Sequence, residues 1–519
     1  MAERAVGGVA LVNGLRSLVA RERLPAALTL AVFAALVIAS GVHHEPWFDE
    51  AQAWLIARDN NPWTLLTSGV RYEGTPALWH LILWVVQRLG LPYGELWLVS
   101  GALAVGGAAL VVYKSPFPLW MRIGLIFSYF FAFQYAVVAR SYALDLVLLP
   151  ALAALFEQRT ARPLLYAGLL ALLANTNAHS FVLSSVLALE LLWTLRERVL
   201  ARDALALLAI GLYGSAALAA IAQAWPPQDI NFLTKKVGDN PALRGAVILT
   251  EAFIERGDIF ALTPPSLPWR AVGLLLTVAV LAPAAWLCRS ARRLPLALGL
   301  FGVLVGFSAV KYGNNWHAGI VFLTFVFCLW INWAERDALP VGGRRWLVVA
   351  IAALLAVQVF DTGAAEVRGW LSPYSAAPAA ARALLAHRQA HPGETLGVVG
   401  FKGFGVAPYF RANPFANYEG GAEKPSYYLW RRDEAPIPGV SEPQWSRVIG
   451  GGYDRLLLSS FNLMGWNGPA RYIADANAAG YCPTALFRGA MIWKTYVLET
   501  DDMMIFDRCQ WISARRHHP

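Results

Sequence analysis

The chain has 519 residues, of which 57% are hydrophobic and only 15% charged, and its formal net charge is +9. Soluble domains carry about 25% charged residues, so this composition excludes a soluble enzyme and indicates a polytopic α-helical membrane protein. Most arginine clusters occupy short loops between apolar runs, where cytoplasmic retention explains the positive charge. The net charge therefore does not indicate a nucleic-acid partner.

The first apolar run spans residues 26–41. No small-residue cleavage site follows a short apolar core, so we predict a retained membrane span rather than a removed signal peptide. Arg16, Arg21 and Arg23 precede this run and place the N-terminus in the cytoplasm.

Further apolar runs continue to residue 361, many of them close to the length that crosses about 30 Å of hydrocarbon. They lie at 76–90, 97–112, 119–138, 143–157, 163–176, 180–195, 204–224, 269–287, 294–310, 316–333 and 346–361. Run 76–90 is the weakest span, because it is short and contains His80. If it lies in the membrane interface instead, every basic loop falls on the cytoplasmic side. We therefore predict about eleven spans in a membrane module over 1–361, with outside loops 42–96 and 225–268.

The pattern changes after residue 361, where short apolar runs alternate with helical segments. TLGVVGF (395–401), YDRLLLSSF (453–461) and the stretches around TYVLE and DMMIFD favour strands. These features predict a small α/β domain over 362–519 on the outer, periplasmic side. Cys482 and Cys509 could form a disulfide there, whereas Cys288 and Cys328 lie at or in spans and suit packing.

The densest polar stretch, residues 43–80, directly follows the first span. Its acid pair, Asp49 and Glu50, lies at the predicted membrane boundary, where charged groups tend to mark function. A carboxylate at this place could accept a proton from an incoming hydroxyl or amine. The alternative is a helix start, because acids also suit an N-cap and the first turn.

Cations near the same predicted face could hold a phosphate, since arginine clamps phosphate oxygens and lysine acts as a point charge. The candidates are Arg58, Arg71, Arg140, Lys235, Lys236 and Lys311. Snorkelling to the interface is the alternative for Arg140, and a solvated pair is the alternative for Lys235 and Lys236.

Histidines and amides at predicted outer helix starts could bind a sugar or a phosphate. These are Asn175, Asn177, His179, Asn314, Asn315 and His317. Interhelical hydrogen bonding is the alternative for this set. His43, His44, Asp49 and Glu50 could bind a divalent cation such as Mg²⁺ or Mn²⁺, although their spacing matches no strong metal pattern. The sequence contains no P-loop, GxSxG or HExxH motif, which removes the commonest soluble chemistries.

Four motifs together resemble a known family. WFDEAQAWLIARD after the first span, RYEGTPALWHLIL, ARSYAL and an Asn/His-rich helix start are similar to the GT-C superfamily of membrane glycosyltransferases. More narrowly, they resemble the bacterial branch related to aminoarabinose transferases and protein O-mannosyltransferases. The resemblance covers roughly residues 20–361, and TPAL stands here where the family has a PPL start.

The resemblance implies an inverting enzyme of the bacterial inner membrane with a periplasmic active site. It would move a sugar from a polyprenyl-phosphate carrier to a glycan, glycolipid or protein acceptor. Asp49 would be the base and Glu50 its partner. Arg71, Glu73 and His80 would line the same cavity, and Arg140 and Tyr142 would face it. A metal requirement varies within the superfamily.

Three other functions fit parts of the pattern. A transporter or flippase would place polar groups near the bilayer middle and often has internal repeats, whereas none is visible here. A polysaccharide ligase or polymerase would offer a more basic outside loop than 225–268. A non-catalytic binding component would use the C-terminal domain as a receptor.

Overall fold

The computed structural model describes residues 2–230, 240–255, 264–311, 313–418, 425–431, 442–460 and 469–510. Side chains are described from residue 23 onward, except those of residues 442–444 and 469. Lys235 and Lys236 lie outside the described residues, as do Arg256 and Asp258 of the same predicted outside loop.

The first part of the chain is helical. Its helices are α1 Ala2–His43, α2 Phe48–Asp59, α3 Pro62–Thr64, α4 Leu78–Arg88, α5 Trp97–Lys114, α6 Leu119–Ile126, α7 Asp145–Leu155, α8 Pro163–Ala174, α9 Ala178–Leu200, α10 Ala204–Ala224, α11 Pro241–Phe253, α12 Leu267–Ser290, α13 Leu294–Val310, α14 Ala318–Asn332 and α15 Val341–Leu371.

Eight helical stretches among the described residues are long and apolar enough to cross a membrane. They are Arg23–His43, Tyr93–Lys114, Ser141–Gln158, Ala178–Leu200, Ala204–Ala224, Leu267–Ser290, Asn315–Ala338 and Val341–Leu371. Helices α8 and α13 are apolar but shorter. The chain is thus a helical membrane protein, and the count of eleven spans and their sidedness stay predictions.

Two segments bear directly on the span count. Helix α4 has 11 residues, about 16 Å of rise, which is far less than the hydrocarbon thickness. This length agrees with the predicted interfacial helix at 76–90.

The continuous helix expected over 119–138 is wrong, because α6 ends at Ile126 and a π-type turn follows at Phe130–Gln134. The backbone is then extended at Arg140, with φ −129° and ψ 167°. Residues 129–139 are buried in protein, and non-helical backbone at membrane depth is tolerated only in such surroundings.

The C-terminal part is an α/β domain, as predicted. Its elements are α16 Ala377–Ala390, β1 Leu396–Val399, α17 Glu442–Ile449, β2 Arg455–Ser459, α18 Pro469–Ala478, β3 Tyr481–Phe487, β4 Ala490–Trp493, β5 Tyr496–Thr500 and β6 Met503–Arg508. Four strands form a sheet in the order β1-β2-β6-β3, and β4 and β5 form a separate hairpin. The predicted boundary at residue 361 falls inside α15, which continues to Leu371.

All four cysteines take the states that the sequence indicates. Cys482 and Cys509 form a disulfide, and Cys288 and Cys328 are free and buried.

Two hydrophobic cores hold the molecule together. The larger core is continuous from the membrane helices into the C-terminal domain, where it includes Phe404, Leu457 and Trp493. The smaller core fills the space between the sheet and helices α17 and α18. The β4–β5 hairpin is inserted among the membrane helices, because Trp493 and Lys494 at its tip are fully buried. The domain is therefore packed into the membrane module rather than tethered to it.

Candidate functional site

A cavity of about 280 Å³ lies where the first loop meets the starts of α7, α9 and α14. All four motifs that carry the family resemblance contribute to its wall. Its lining comprises Trp47, Phe48, Asp49, Gln52, Ala53, Tyr72, Glu73, Gly74, Thr75, Trp79, His80, Arg140, Ser141, Tyr142, Asn177, Ala178, His179, Asn314, Trp316, His317, Phe401, Trp430 and Glu499.

Asp49 and Arg140 form an ion pair in this wall. Arg140 Nη1 lies 2.8 Å from Asp49 Oδ2, and the two side chains keep 20% and 28% of their surface exposed. The guanidinium also lies over the rings of Trp47 and Tyr142, at 5.8 Å and 5.1 Å from their centroids. Burial raises the pKa of the Asp49 carboxyl, and the charge of Arg140 opposes this rise. Asp49 is therefore a carboxylate whose basicity depends on whether Arg140 stays beside it.

Glu50 does not line the cavity. Its carboxylate is fully buried, and Oε1 accepts a hydrogen bond of 2.7 Å from the Ala139 N–H. Oε2 contacts His44 Nε2 at 2.8 Å and accepts from the Trp47 N–H at 3.1 Å. Glu50 thus closes the first turn of α2 and holds the extended segment that carries Arg140. Glu50 therefore has the structural role of an acid in the first turn of a helix. The geometry gives no support for a direct part in proton transfer.

Glu73 and His80 line the cavity, as the resemblance implies. Glu73 Oε1 accepts a 2.7 Å hydrogen bond from Gln52 Nε2. Burial raises the pKa of Glu73 to about 7, with a further contribution from the nearby Asp49 charge. Burial lowers the pKa of His80 to about 4, so this imidazole is neutral at physiological pH.

The predicted histidines also meet at the cavity. The rings of His179 and His317 are stacked, with centroids 3.9 Å apart. His317 Nδ1 accepts a 3.0 Å hydrogen bond from the Asn314 N–H, which places the proton of a neutral ring on Nε2. Tyr142 packs edge-to-face on His317, at 5.7 Å between centroids.

The predicted amides divide between the cavity and the helix packing. Asn177 lines the cavity and also caps α9, because its Oδ1 accepts from the Ser180 N–H at 2.9 Å. Asn177 Nδ2 donates at 3.1 Å to the buried Asp145, the residue directly after ARSYAL, for which the sequence predicted no role. Asn175 and Asn315 lie outside the lining. Asn315 donates at 2.8 Å to Glu251, which is the interhelical alternative.

Of the four predicted phosphate-binding cations that the structure describes, three lie outside the cavity lining, which corrects the sequence prediction for them. Arg58 donates from Nη1 to the Phe410 carbonyl at 2.8 Å and pairs with Asp59 at 3.0 Å. Arg71 donates to the Trp225 carbonyl at 3.0 Å, and Lys311 is exposed after α13. Within the described ranges, Arg140 is the one predicted cation that lines the cavity.

The predicted metal set does not assemble. His43 is exposed and contacts its own helix at the Ala39 carbonyl, while His44 contacts Glu50. Only Asp49 of that set faces the cavity. In the part of the chain that the structure describes, one cluster alone brings three ligand atoms close enough for a single ion, and it lies outside the cavity, at His387, His391 and Glu394.

The C-terminal domain supplies one wall of the cavity, through Phe401, Trp430 and Glu499. Lys402 Nζ lies 3.3 Å from Glu499 Oε1 and is itself almost fully buried. Burial raises the pKa of Glu499, and Lys402 opposes the rise. No local sequence signal marked these residues, because they belong to separate elements that only tertiary packing brings to the cavity.

No protein-family model matches the chain, and no curated protein or solved structure shows significant similarity to it.

Proposed function

We propose that this chain is a membrane glycosyltransferase that moves a sugar from a polyprenyl-phosphate carrier to an acceptor. The observation that carries the proposal is the Asp49–Arg140 pair, a base candidate and a phosphate-binding cation on one cavity at the ends of apolar helices. The cavity lies beside long apolar helices, so a lipid-linked donor can present its head group there without leaving the membrane. In this proposal the face is periplasmic, and the donor needs no nucleotide-binding fold.

Arg140 would bind the donor phosphate. A sugar–phosphate–lipid diester carries one negative charge, and one guanidinium can hold two of its oxygens. When the bond between the sugar and the phosphate breaks, negative charge grows on the leaving phosphate. A fixed cation at that place stabilises the transition state more than the ground state.

Asp49 would accept the proton of the acceptor hydroxyl. In the resting pair Arg140 makes Asp49 less basic, but a bound phosphate competes for the guanidinium. Asp49 then becomes a stronger base at the moment when the donor is in place. The acceptor oxygen forms its bond to the anomeric carbon while the phosphate leaves with the electron pair of the broken bond. A single displacement of this kind inverts the anomeric configuration.

The remaining lining suits a sugar. Trp47, Trp79, Trp316 and Trp430 offer aromatic surface on several sides of the cavity, and such rings present both an apolar face and a polar N–H. The imidazole of His317 and the carboxylate of Glu73 add polar groups to the same lining. A transport role is less consistent with this arrangement, since the polar groups gather at helix ends rather than at mid-helix.

The test is sugar transfer by the purified protein in detergent or vesicles, with a panel of polyprenyl-phosphate-linked hexoses and pentoses as donors. Acceptors are glycolipids and polysaccharides extracted from the envelope of cells that naturally contain the protein, and products are identified by mass spectrometry. Asp49→Asn keeps the size of the side chain but removes the base, so we expect the rate to fall about 10²–10⁴-fold.

The matched control is Asp59→Asn, the same change in the same helix. Asp59 lies outside the cavity lining. It accepts from the Ser426 N–H, a bond that asparagine can keep, and its ion pair with Arg58, which asparagine loses, also lies outside the lining. Full transfer by Asp49→Asn would exclude the catalytic assignment, and equal losses in both variants would reduce it to a folding effect.

A further inference from the structure

A second group of ligating side chains lies in the C-terminal domain, outside the cavity. His387 is in the last turn of α16, and His391 is the residue that caps this helix. Positions four residues apart lie on one helix face, and the two rings are 4.6 Å apart between centroids. A turn through Gly393, whose φ is +102°, then brings Glu394 back against both histidines.

The three side chains converge on one point. His387 Nε2 contacts Glu394 Oε2 directly, and His391 Nδ1 lies 3.8 Å from Glu394 Oε1. All three ligand atoms lie within 4.8 Å of one another. A neighbouring cavity of about 30 Å³ is lined by these three residues together with others that include Arg388 and Arg455, and it is large enough to hold a water molecule. The cluster therefore has three ligands and room for a fourth from solvent.

We propose that His387, His391 and Glu394 form a binding site for a divalent transition-metal ion of the zinc type. Two imidazoles and one carboxylate suit Zn²⁺, which accepts nitrogen and oxygen ligands in tetrahedral geometry. The same donors do not suit Mg²⁺ or Ca²⁺, which prefer all-oxygen shells. The site is independent of the proposed transfer reaction, because none of its residues lines that cavity.

The hydrogen bonds around His387 determine what the ion must displace. Arg455 Nη2 lies 2.8 Å from His387 Nδ1, and arginine can only donate. The ring proton is therefore on Nε2, where it faces Glu394 in place of an ion. Metal binding at Nε2 moves that proton to Nδ1 and requires Arg455 to turn away. Arg455 keeps a strong partner when it turns, because its Nε lies 2.5 Å from Asp507 Oδ1.

The consequence of binding is a link within the domain. The two histidines end α16, and Glu394 stands two residues before β1. An ion held between them would tie this helix to the first strand, from which the chain continues to Phe401 in the cavity wall. Because a ligand that binds only the folded state stabilises it, zinc should raise the melting temperature of the full chain.

The experiment uses the full-length protein without an affinity tag of histidines. His517 and His518 are both replaced by alanine as the background, since they could bind zinc by themselves. Zinc is titrated against a chromophoric chelator, and Co²⁺ absorption reports the coordination geometry. We expect one zinc ion per chain, and His387→Ala and His391→Ala should each weaken binding by at least about 10-fold.

Two further variants make the result specific. His43→Ala removes an exposed histidine outside both sites and should leave zinc affinity unchanged. Asp49→Asn should also leave it unchanged, which separates this site from the carboxylates of the cavity. The proposal is overturned if the background protein binds no zinc, or if the double variant His387→Ala/His391→Ala binds it with undiminished affinity. A zinc-free melting curve of each variant shows that it is folded.

Discussion

The first loop and the C-terminal domain both line the same cavity, but they do so in different ways. The loop supplies its residues from one continuous stretch, within which Asp49, Glu73 and His80 are separated by at most 31 positions of sequence. The domain supplies Phe401, Trp430 and Glu499 from three segments that are far apart in sequence. The residues of the loop are close together, so they form a dense cluster of polar and aromatic residues that is visible in the sequence. Each cavity residue of the domain instead stands alone in its stretch of sequence, and no such cluster marks it.

Within the loop, helical geometry separates residues that face the cavity from residues that hold it in place. Successive residues of an α-helix point about 100° apart, and the step from Asp49 to Glu50 turns the Glu50 side chain out of the cavity lining. Asp49, Gln52 and Ala53 share the helix face that lines it, as the spacing of three and four residues requires. Glu50 and Arg58 instead bind the backbone of other segments. In this helix, Asp49 of the acid pair lines the cavity and Glu50 anchors another segment.

The largest effect on stability should come from a substitution that breaks the contact between the C-terminal domain and the membrane helices. Lys494 Nζ donates to the Glu251 carbonyl at 2.6 Å, and burial raises the pKa of the nearby Glu251 and Glu255 carboxyls while Lys494 opposes this. Lys494→Met leaves these buried acids without that cation, so we expect a loss of about 3–5 kcal/mol. Equilibrium unfolding of the detergent-solubilised protein at neutral pH measures this loss.

Lys494→Arg is the matched control, because it keeps the charge at the tip of the hairpin. It should retain most of the stability that Lys494→Met loses. If Lys494→Met unfolds at the same denaturant concentration as the parent protein, the hairpin does not hold the domain in the membrane module.

The sequence predicted this molecule wherever a signal is local. Apolar runs marked the helices, the change after residue 361 marked the α/β domain, and Cys482 and Cys509 were paired correctly. The ARSYAL and Asn/His motifs indicated Arg140, Tyr142, Asn177 and His179, all of which line the cavity.

The missed features depend on contacts between distant segments. The break after Ile126 is hidden because its residues are as apolar as those of a span, and the structure buries them against Trp493 of the hairpin. Arg58 and Arg71 looked like phosphate ligands, but each donates to a backbone carbonyl, 352 and 154 positions away respectively. The zinc-type cluster is an exception, because its three residues are close in sequence, but only the turn after α16 brings Glu394 to the histidines.

A smaller effect should distinguish the part of the C-terminal domain around its disulfide from the part that lines the cavity. The Cys482–Cys509 disulfide closes a loop with a sequence separation of 27, for which chain entropy gives about 3.5 kcal/mol. It lies beside the smaller core, and no residue of that core lines the cavity. The double variant Cys482→Ser/Cys509→Ser should therefore lower the unfolding free energy of the domain by up to this amount.

The proposed sugar transfer should survive this double change at temperatures where the domain stays folded. Activity and thermal unfolding are measured on the same preparation. If transfer disappears while the protein is still folded, the disulfide region affects the cavity wall even though the two belong to separate hydrophobic cores.

The smallest effect is a pH dependence of stability that originates in the loop. Burial raises the pKa of Glu73 from 4.5 to about 7, so the folded state binds its proton more tightly than the unfolded state between these values. Stability from this group is therefore greatest below pH 4.5, falls as the pH rises through this window, and is lowest above pH 7. Because Glu73 is partly exposed to the cavity, solvent screening keeps the effect small. Melting temperatures across the window should fall less steeply for Glu73→Gln than for the parent protein.

Glu197→Gln serves as the control for this last change, since its side chain is 85% exposed. It should leave the slope as it is in the parent protein. Asp49 and Glu499 also have raised pKa values, so some slope should remain in Glu73→Gln. An unchanged slope in Glu73→Gln would mean that Glu73 is fully hydrated, and the loop would then contribute its charge to an open groove rather than to an enclosed cavity. A reduced slope would mean that the loop and the domain together keep water away from Glu73, which is the condition under which Asp49 can act as a base.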